Sequence, residues 1–147
     1  MHTVQTNITE NTIFHNNKKI FFPEGIPAFE SVSEFTLVAN EEEAPFLWLQ
    51  AALMPNLAFI TIDPFLIYPD YRPDICDEDV QILQLSSEEE AFVLSVVTIH
   101  NTPPITITTN LVSPIIINWK KSLGKQVILK NHIDYSVKHR IDDQTNS

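Results

Sequence analysis

With 147 residues, 44% of them hydrophobic and 19% charged, the chain has single-domain size and globular composition, which excludes a disordered polypeptide. It holds only Gly25 and Gly124 where about ten glycines are usual at this length. A P-loop or GxGxxG site needs glycine for close backbone approach to phosphate, so both are excluded, and no nucleophile elbow, HExxH, CxxC or calcium-loop pattern occurs.

The net charge of −10 is uneven: residues 1–100 stand at −13 and residues 101–147 at +3. Clustered Lys and Arg are what phosphate binding needs, so direct nucleic-acid binding is excluded over most of the surface and a basic protein is the more natural partner. Residues 1–17 are polar with apolar points at Val4, Ile8, Ile13 and Phe14, which predicts a weak edge strand. The N-terminus lacks the basic-then-apolar build of a signal peptide, and no run of about 18 apolar residues exists to span a membrane. A cytoplasmic protein with no membrane association is expected.

Lys18–Phe22 predicts a strand, closed by a turn over Phe22–Gly25 with Pro23 second and Gly25 fourth. Phe35–Val38 predicts another, followed by a solvated acidic loop at Glu41–Glu43 and a change of direction at Pro45. Phe46–Gln50 and Leu57–Ile62 are apolar at nearly every position, as strands with both faces covered are, and Met54-Pro55-Asn56 joins them as a hairpin.

The stretch Asp63-Pro64-Phe65-Leu66-Ile67-Tyr68-Pro69-Asp70-Tyr71 concentrates aromatic residues, prolines and carboxylates. Proline fixes its own φ and biases the residue before it towards extended backbone, here Asp63 and Tyr68. The segment is therefore expected to present Phe65, Tyr68 and Tyr71 from a stiff backbone as interface anchors. The plainer alternative is that Phe65 and Leu66 are core and the prolines mark a strand end.

Asp77-Glu78-Asp79 ahead of Val80–Leu85 puts three acids at the positive end of a helix dipole, with Asp77 or Asp74 as the expected cap. The lone Cys76 allows no internal disulfide, and as a nucleophile it would need one of the scattered histidines beside it. Glu88–Glu90 predicts a second acidic loop, and Ala91–Ile99, β-branched and apolar, a central strand ended by Pro103-Pro104. Ile105–Thr109 alternates with period two, and Val112–Asn118 reads as a strand with Pro114 at its start or at a bulge. Lys120–Lys125 predicts a basic turn leading into a last strand at Gln126–Leu129, with a disordered tail over 141–147. Strands about 8–12 residues apart make this a mainly β, single-domain antiparallel sandwich or barrel over 1–147 with one or two short helices. Nothing in the spacing of its acids and histidines calls for a metal or cofactor.

Phe22-Pro23-Glu24-Gly25-Ile26-Pro27-Ala28-Phe29-Glu30, Asp63-Pro64-Phe65 with Tyr68-Pro69-Asp70-Tyr71, Thr109-Asn110-Leu111 with Pro114–Asn118, and Gln126–Leu129 with Tyr135-Ser136 and His139 form four blocks in register. Together they resemble the flagellar assembly factor family FliW over about residues 18–140. The departures are Thr109 before Asn110 and Ser113, where alanine is usual, and Lys138, where arginine precedes His139; lysine lacks arginine's planar fork. The resemblance implies a non-enzymatic, antiparallel β-barrel-like protein with two alternative partners, the basic RNA-binding translational repressor CsrA and flagellin. It implies that the protein antagonises CsrA away from the RNA groove, so that free flagellin governs its own translation. The expected contact residues are Phe65, Tyr68, Pro69, Asp70 and Tyr71, with Asn110 and Pro114 beside them if the fold joins the two segments.

Two rivals stand beside that expectation. A small hydrolase or lyase would use Asp63 and Asp70 with His100 or His132 in a pocket that shifts their pKa values. A ligand-binding barrel would need an open interior.

Overall fold

A ten-residue strand, Ala91–His100, is the spine of the structure, a computed structural model that describes residues 18–141. Among the described residues nine strands are present: β1 (Lys19–Phe21), β2 (Glu34–Ala39), β3 (Leu47–Ala51), β4 (Ala58–Ile62), β5 (Ala91–His100), β6 (Thr106–Thr109), β7 (Ile115–Asn118), β8 (Leu123–Gln126) and β9 (His139–Arg140). Among the described residues the α-helix is α1 (Asp77–Ile82). The order β4-β3-β2-β1-β8-β7-β5 closes on itself where β4 pairs with β5, so these seven strands form a barrel. Ala91–Leu94 pair with β7, Ser95 and Val96 with β4, and Val97–His100 with β6, which carries β9 on its far side as a wing. Among the described residues the strand pairings are antiparallel except β1 with β8, where Phe21 meets Leu123 in parallel.

Strand alternation sorts the apolar residues of β5 and β7 between two cores. Phe92, Leu94, Ile115 and Ile117 point into the barrel with Phe22, Phe35, Leu37 and Leu49, side chains that pack its interior where a ligand-binding barrel would need open space. Ala91, Val93 and Ile116 point outward and are covered by Phe65, Tyr71, Leu83, Leu111, Val127 and Leu129. Near-continuous apolar sequence at the start of β5 reflects burial on both faces in the central strand expected there, whereas β3, expected to be covered on both faces, alternates between buried and half-buried residues. A third cluster of Ile62, Ile67, Val97 and Ile141 sits under the wing.

The turn after β1 forms as expected: the Gly25 N–H donates to the Phe22 carbonyl at 2.9 Å. Gly25 has φ +65°, and any Cβ there would meet the Glu30 backbone at 2.5 Å. Gly124 has a different reason, since a Cβ would lie 2.5 Å from the Phe22 ring inside the barrel.

Several expectations are corrected. The last barrel strand is Leu123–Gln126 rather than Gln126–Leu129, because Ser122 takes φ +58° and tightens the hairpin after Asn118. Val127 and Leu129 still donate backbone N–H groups to Pro114 and Val112, and their side chains enter the outer core. The acidic stretches Glu41–Glu43 and Glu88–Glu90 form 3₁₀ turns rather than open loops. Neither Asp77 nor Asp74 caps α1; Cys76 occupies that position without a side-chain cap, and its thiol donates to Asp79 Oδ2 at 3.2 Å. Ile141, expected to begin a disordered tail, is fully buried and bonded to Ile107 by its N–H. Strand β9 has no counterpart among the expectations, being two residues long. The expected edge strand at 1–17 and the rest of the tail, 142–147, lie outside the described residues.

Candidate functional site

The proline-braced segment after β4 does not run extended; it turns. Asp63 is extended, as Pro64 demands, and its Oδ1 accepts the Phe65 N–H at 2.9 Å, capping a 3₁₀ turn at Pro64–Leu66. The Ile67 and Tyr68 N–H groups both donate to the Pro64 carbonyl, and the Tyr71 N–H closes a second turn on Tyr68. Such a turn repeats near three residues rather than two, so Pro64 and Ile67 share the inward side with Phe65 between them, and Leu66 faces out.

This overturns the outward presentation expected of Phe65 and Tyr71. Tyr71 is 2% exposed and Phe65 is buried beside it, their rings 5.7 Å apart. The plainer alternative holds for Phe65 and fails for Leu66, which is 61% exposed. Tyr68 is half-buried, packed edge-on against Tyr135 at 5.7 Å and near His139 at 5.6 Å. Pro69 and Asp70 are exposed. The surface of the segment is thus a ridge of Leu66, Tyr68, Pro69 and Asp70 standing on buried Phe65 and Tyr71.

The fold ties this segment, through Leu111, to the excursion that carries Asn110 and Pro114. The Tyr71 hydroxyl donates to the Leu111 carbonyl at 2.7 Å, and burial, with Tyr135 close by, pushes its pKa far above that of a free phenol. Asn110 Oδ1 accepts the N–H groups of Val112 and Ser113 at 3.0 Å each, which folds the excursion between β6 and β7. Pro114 is buried and its carbonyl accepts the Val127 N–H at 2.9 Å. Asn110 and Pro114 therefore shape the loop behind the ridge.

Two groups outside the expected site stand out. Asp79, 5% exposed, meets Lys125 Nζ at 3.1 Å, and Lys125 reaches Glu24 at 3.3 Å. Burial by itself would lower the Lys125 pKa; hydrogen bonds and charge from Asp79 and Glu24 outweigh it and raise it above the ordinary lysine value. His139 is held below the usual histidine range by burial, and its Nε2 is enclosed without a hydrogen-bond partner among the described residues. A sequence signal for the ion pair existed only as Asp79 within an acidic helix start, which reads as dipole stabilisation.

Two clefts open beside these elements. One, of about 560 Å³, lies between the Tyr71–Ile75 stretch, α1 and the start of β5. The other, of about 610 Å³, lies over Asp79, Lys125 and Asn110. Neither is lined by Asp63, Asp70, His100 or His132. Asp63 caps a turn, and His100 Nε2 bonds the Thr108 hydroxyl at 3.0 Å. Neither of these two clefts therefore brings Asp63, Asp70 and a histidine to one substrate, as a hydrolase or lyase built on them would need. No grouping of three or more His, Cys, Asp or Glu fit for a metal occurs among the described residues. Nor is any described helix long and apolar enough to cross a membrane.

A family model described as FliW protein matches residues 3–141. The chain is similar to the flagellar assembly factor FliW of Moorella thermoacetica, at 41% identity over 122 residues, covering 83% of this chain and 77% of that one. It is 40% identical over 136 residues to the flagellar assembly factor FliW of Clostridium tetani, covering 92% of each. Its counterpart in Thermosipho africanus is 33% identical over 129 residues, with 88% of each chain covered. Among solved structures, a crystal structure of the flagellar assembly factor FliW superposes with a TM-score of 0.78 at 38% identity, covering 87% of this chain and 88% of that one.

Proposed function

The chain belongs to the FliW family of flagellar assembly factors, and on that premise we propose that it is a non-enzymatic, cytoplasmic regulator that works by occupying other proteins. It binds and antagonises the translational repressor CsrA, away from its RNA groove, and it binds flagellin, so that free flagellin controls its own translation. What supports this reading is the surface of the segment after β4: Leu66, Pro69 and Asp70 stand in solvent on a base of buried aromatic rings. Rigid, preorganised contact residues lose little entropy on binding, which is what a protein-binding surface needs. Leu66, Tyr68, Pro69 and Asp70 are the contact residues in this reading, Phe65 and Tyr71 hold them in place, and Asn110 and Pro114 form the loop behind.

Exclusive occupancy requires the two partners to share surface or to be coupled through the fold by a free energy of about 1–3 kcal/mol. Size-exclusion of the purified chain with CsrA and with flagellin, separately and together, is the test. Co-elution with each alone, and displacement of CsrA by flagellin in the mixture, is expected. Failure to co-elute with either partner overturns the proposal.

A further inference from the structure

Residues 71–76 belong to no helix or strand, yet they make half of a ladder. Arg72 and Asp74 turn their backbone groups to one side. There, Asn131 Nδ2 donates to the Arg72 carbonyl at 2.7 Å, and its Oδ1 accepts the Asp74 N–H at 3.1 Å. The Lys130 N–H donates to the Asp74 carbonyl at 2.8 Å, and the Arg72 N–H donates to the Tyr135 hydroxyl at 2.9 Å. Alternation along an extended chain turns Pro73 and Ile75 to the opposite side. Among the described residues, the Ile75 N–H, the Ile75 carbonyl and the Pro73 carbonyl form no hydrogen bond with protein groups.

Pro73, Asp74 and Ile75 border the 560 Å³ cleft, whose floor is apolar: Phe65, Tyr71, Val80, Leu85 and Ala91. An acceptor, a donor and a second acceptor thus stand along a greasy trough. Pro73 removes one further donor, a feature of strand edges kept from pairing indiscriminately. On the rim, Asp74 and Glu88 outnumber Arg72, and Asp77, three positions after Asp74, and Glu89, next to Glu88, are exposed as well.

We propose that this cleft takes an extended segment of a partner protein by strand addition along Pro73–Ile75. Alternate side chains of that segment are apolar and sit on the floor, and the intervening ones are basic and face Asp74 and Glu88. Main-chain bonds then supply affinity, while the floor and the acidic rim supply selectivity. The inference rests on the reading of the chain as a protein-binding regulator and adds to it a surface, a mode of docking and the chemistry of the docked segment.

The probe is a synthetic heptapeptide alternating valine and lysine, titrated into the isotopically labelled full chain and followed by amide NMR. Shifts at Ile75 and over Ser86–Glu88, with slowed deuterium exchange of the Ile75 amide, are expected; a valine–glutamate heptapeptide should leave them unmoved. Ser87→Trp, a change at an exposed rim position, should weaken the lysine peptide about tenfold or more by filling the trough, with the urea midpoint held. No response at Ile75, a response only elsewhere, or an equal response to the glutamate peptide overturns the proposal. CsrA and flagellin serve as a second arm. Partners that bind while the Ile75 amide exchanges as fast as before sustain the regulator and sink the trough. A chain that takes the lysine peptide at Ile75 but captures neither protein does the reverse.

Discussion

The Tyr71 hydroxyl donates to the Leu111 carbonyl at 2.7 Å across 40 positions of chain, tying the turn after β4 to the excursion between β6 and β7. Tyr71→Phe leaves that buried carbonyl without its donor and should cost about 1–3 kcal/mol. Tyr71→Ala empties a site in the outer core and should cost about 3–5 kcal/mol. Urea unfolding measures both, and an unchanged midpoint for Tyr71→Ala would show that the ring is not core. Burial, then Tyr135, raises the Tyr71 pKa above the free value of 10.0. A group with a raised folded pKa holds its proton more tightly when folded, so its contribution is complete below about pH 10 and lost as pH rises further. Tyr71→Phe should lessen that alkaline loss.

Lys125 lies between Asp79 at 3.1 Å and Glu24 at 3.3 Å, its side chain only 17% exposed and that of Asp79 7%. Removing one member of such a pair leaves a largely buried charge unmatched. Lys125→Met is therefore expected to destabilise by about 2–4 kcal/mol, and the double change with Asp79→Leu to recover much of it. The raised Lys125 pKa contributes stability that is present below the unfolded value of 10.5 and lost as pH climbs through the folded one. Urea midpoints of both single variants and the double complete the cycle, and a double variant whose loss equals the sum of the two single losses would mean that the pair is not coupled.

His139 is half-buried against Tyr68, and burial lowers its pKa from 6.5. A lowered folded pKa means that the unfolded chain binds the proton more readily, so stability should be complete above about pH 6.5 and fall as pH drops through that value. His139→Phe keeps the ring, removes the enclosed Nε2 and should flatten this acid-side decline. Urea midpoints at pH 7.5 and 5.5 provide the comparison, and parallel decline in both proteins would assign the loss to other groups.

Asp70 is exposed on the ridge, and Glu41–Glu43 and Glu88–Glu90 present further acids on 3₁₀ turns. If these acids steer a basic partner, added salt should slow association with CsrA and change dissociation little. Asp70→Lys should lower the association rate several-fold at low salt, with a much smaller effect near 0.5 M where the screening length is only about 4 Å. Stopped-flow rates over a salt series decide it, and a salt-independent association rate counts against steering.

Element types were legible along the chain because they depend on local pattern. The two-sided apolar run of Ala91–Ile99, the acid-led start of α1 and the Phe22–Gly25 turn each form where the residues say. The outer layer was less legible. A 3₁₀ turn after Pro64 exchanges the expected roles of Leu66 and Tyr71, and alternation of side chains, the only guide in sequence, does not apply within it. The two-residue β9 and the Asp79–Lys125 pair depend on partners 30 and more positions away, at Thr108–Thr109 and across α1 and β8.

By itself the sequence determined a mainly β chain with four motif blocks in register and an acidic first two thirds, because side-chain alternation, proline and glycine positions and charge are properties of neighbours. Only the tertiary structure decided which aromatic rings face water, which backbone groups of Pro73–Ile75 are left unpaired, and where a charge pair is buried. Those depend on which distant segments meet, and burial and hydrogen bonding are settled by that meeting rather than by any residue alone.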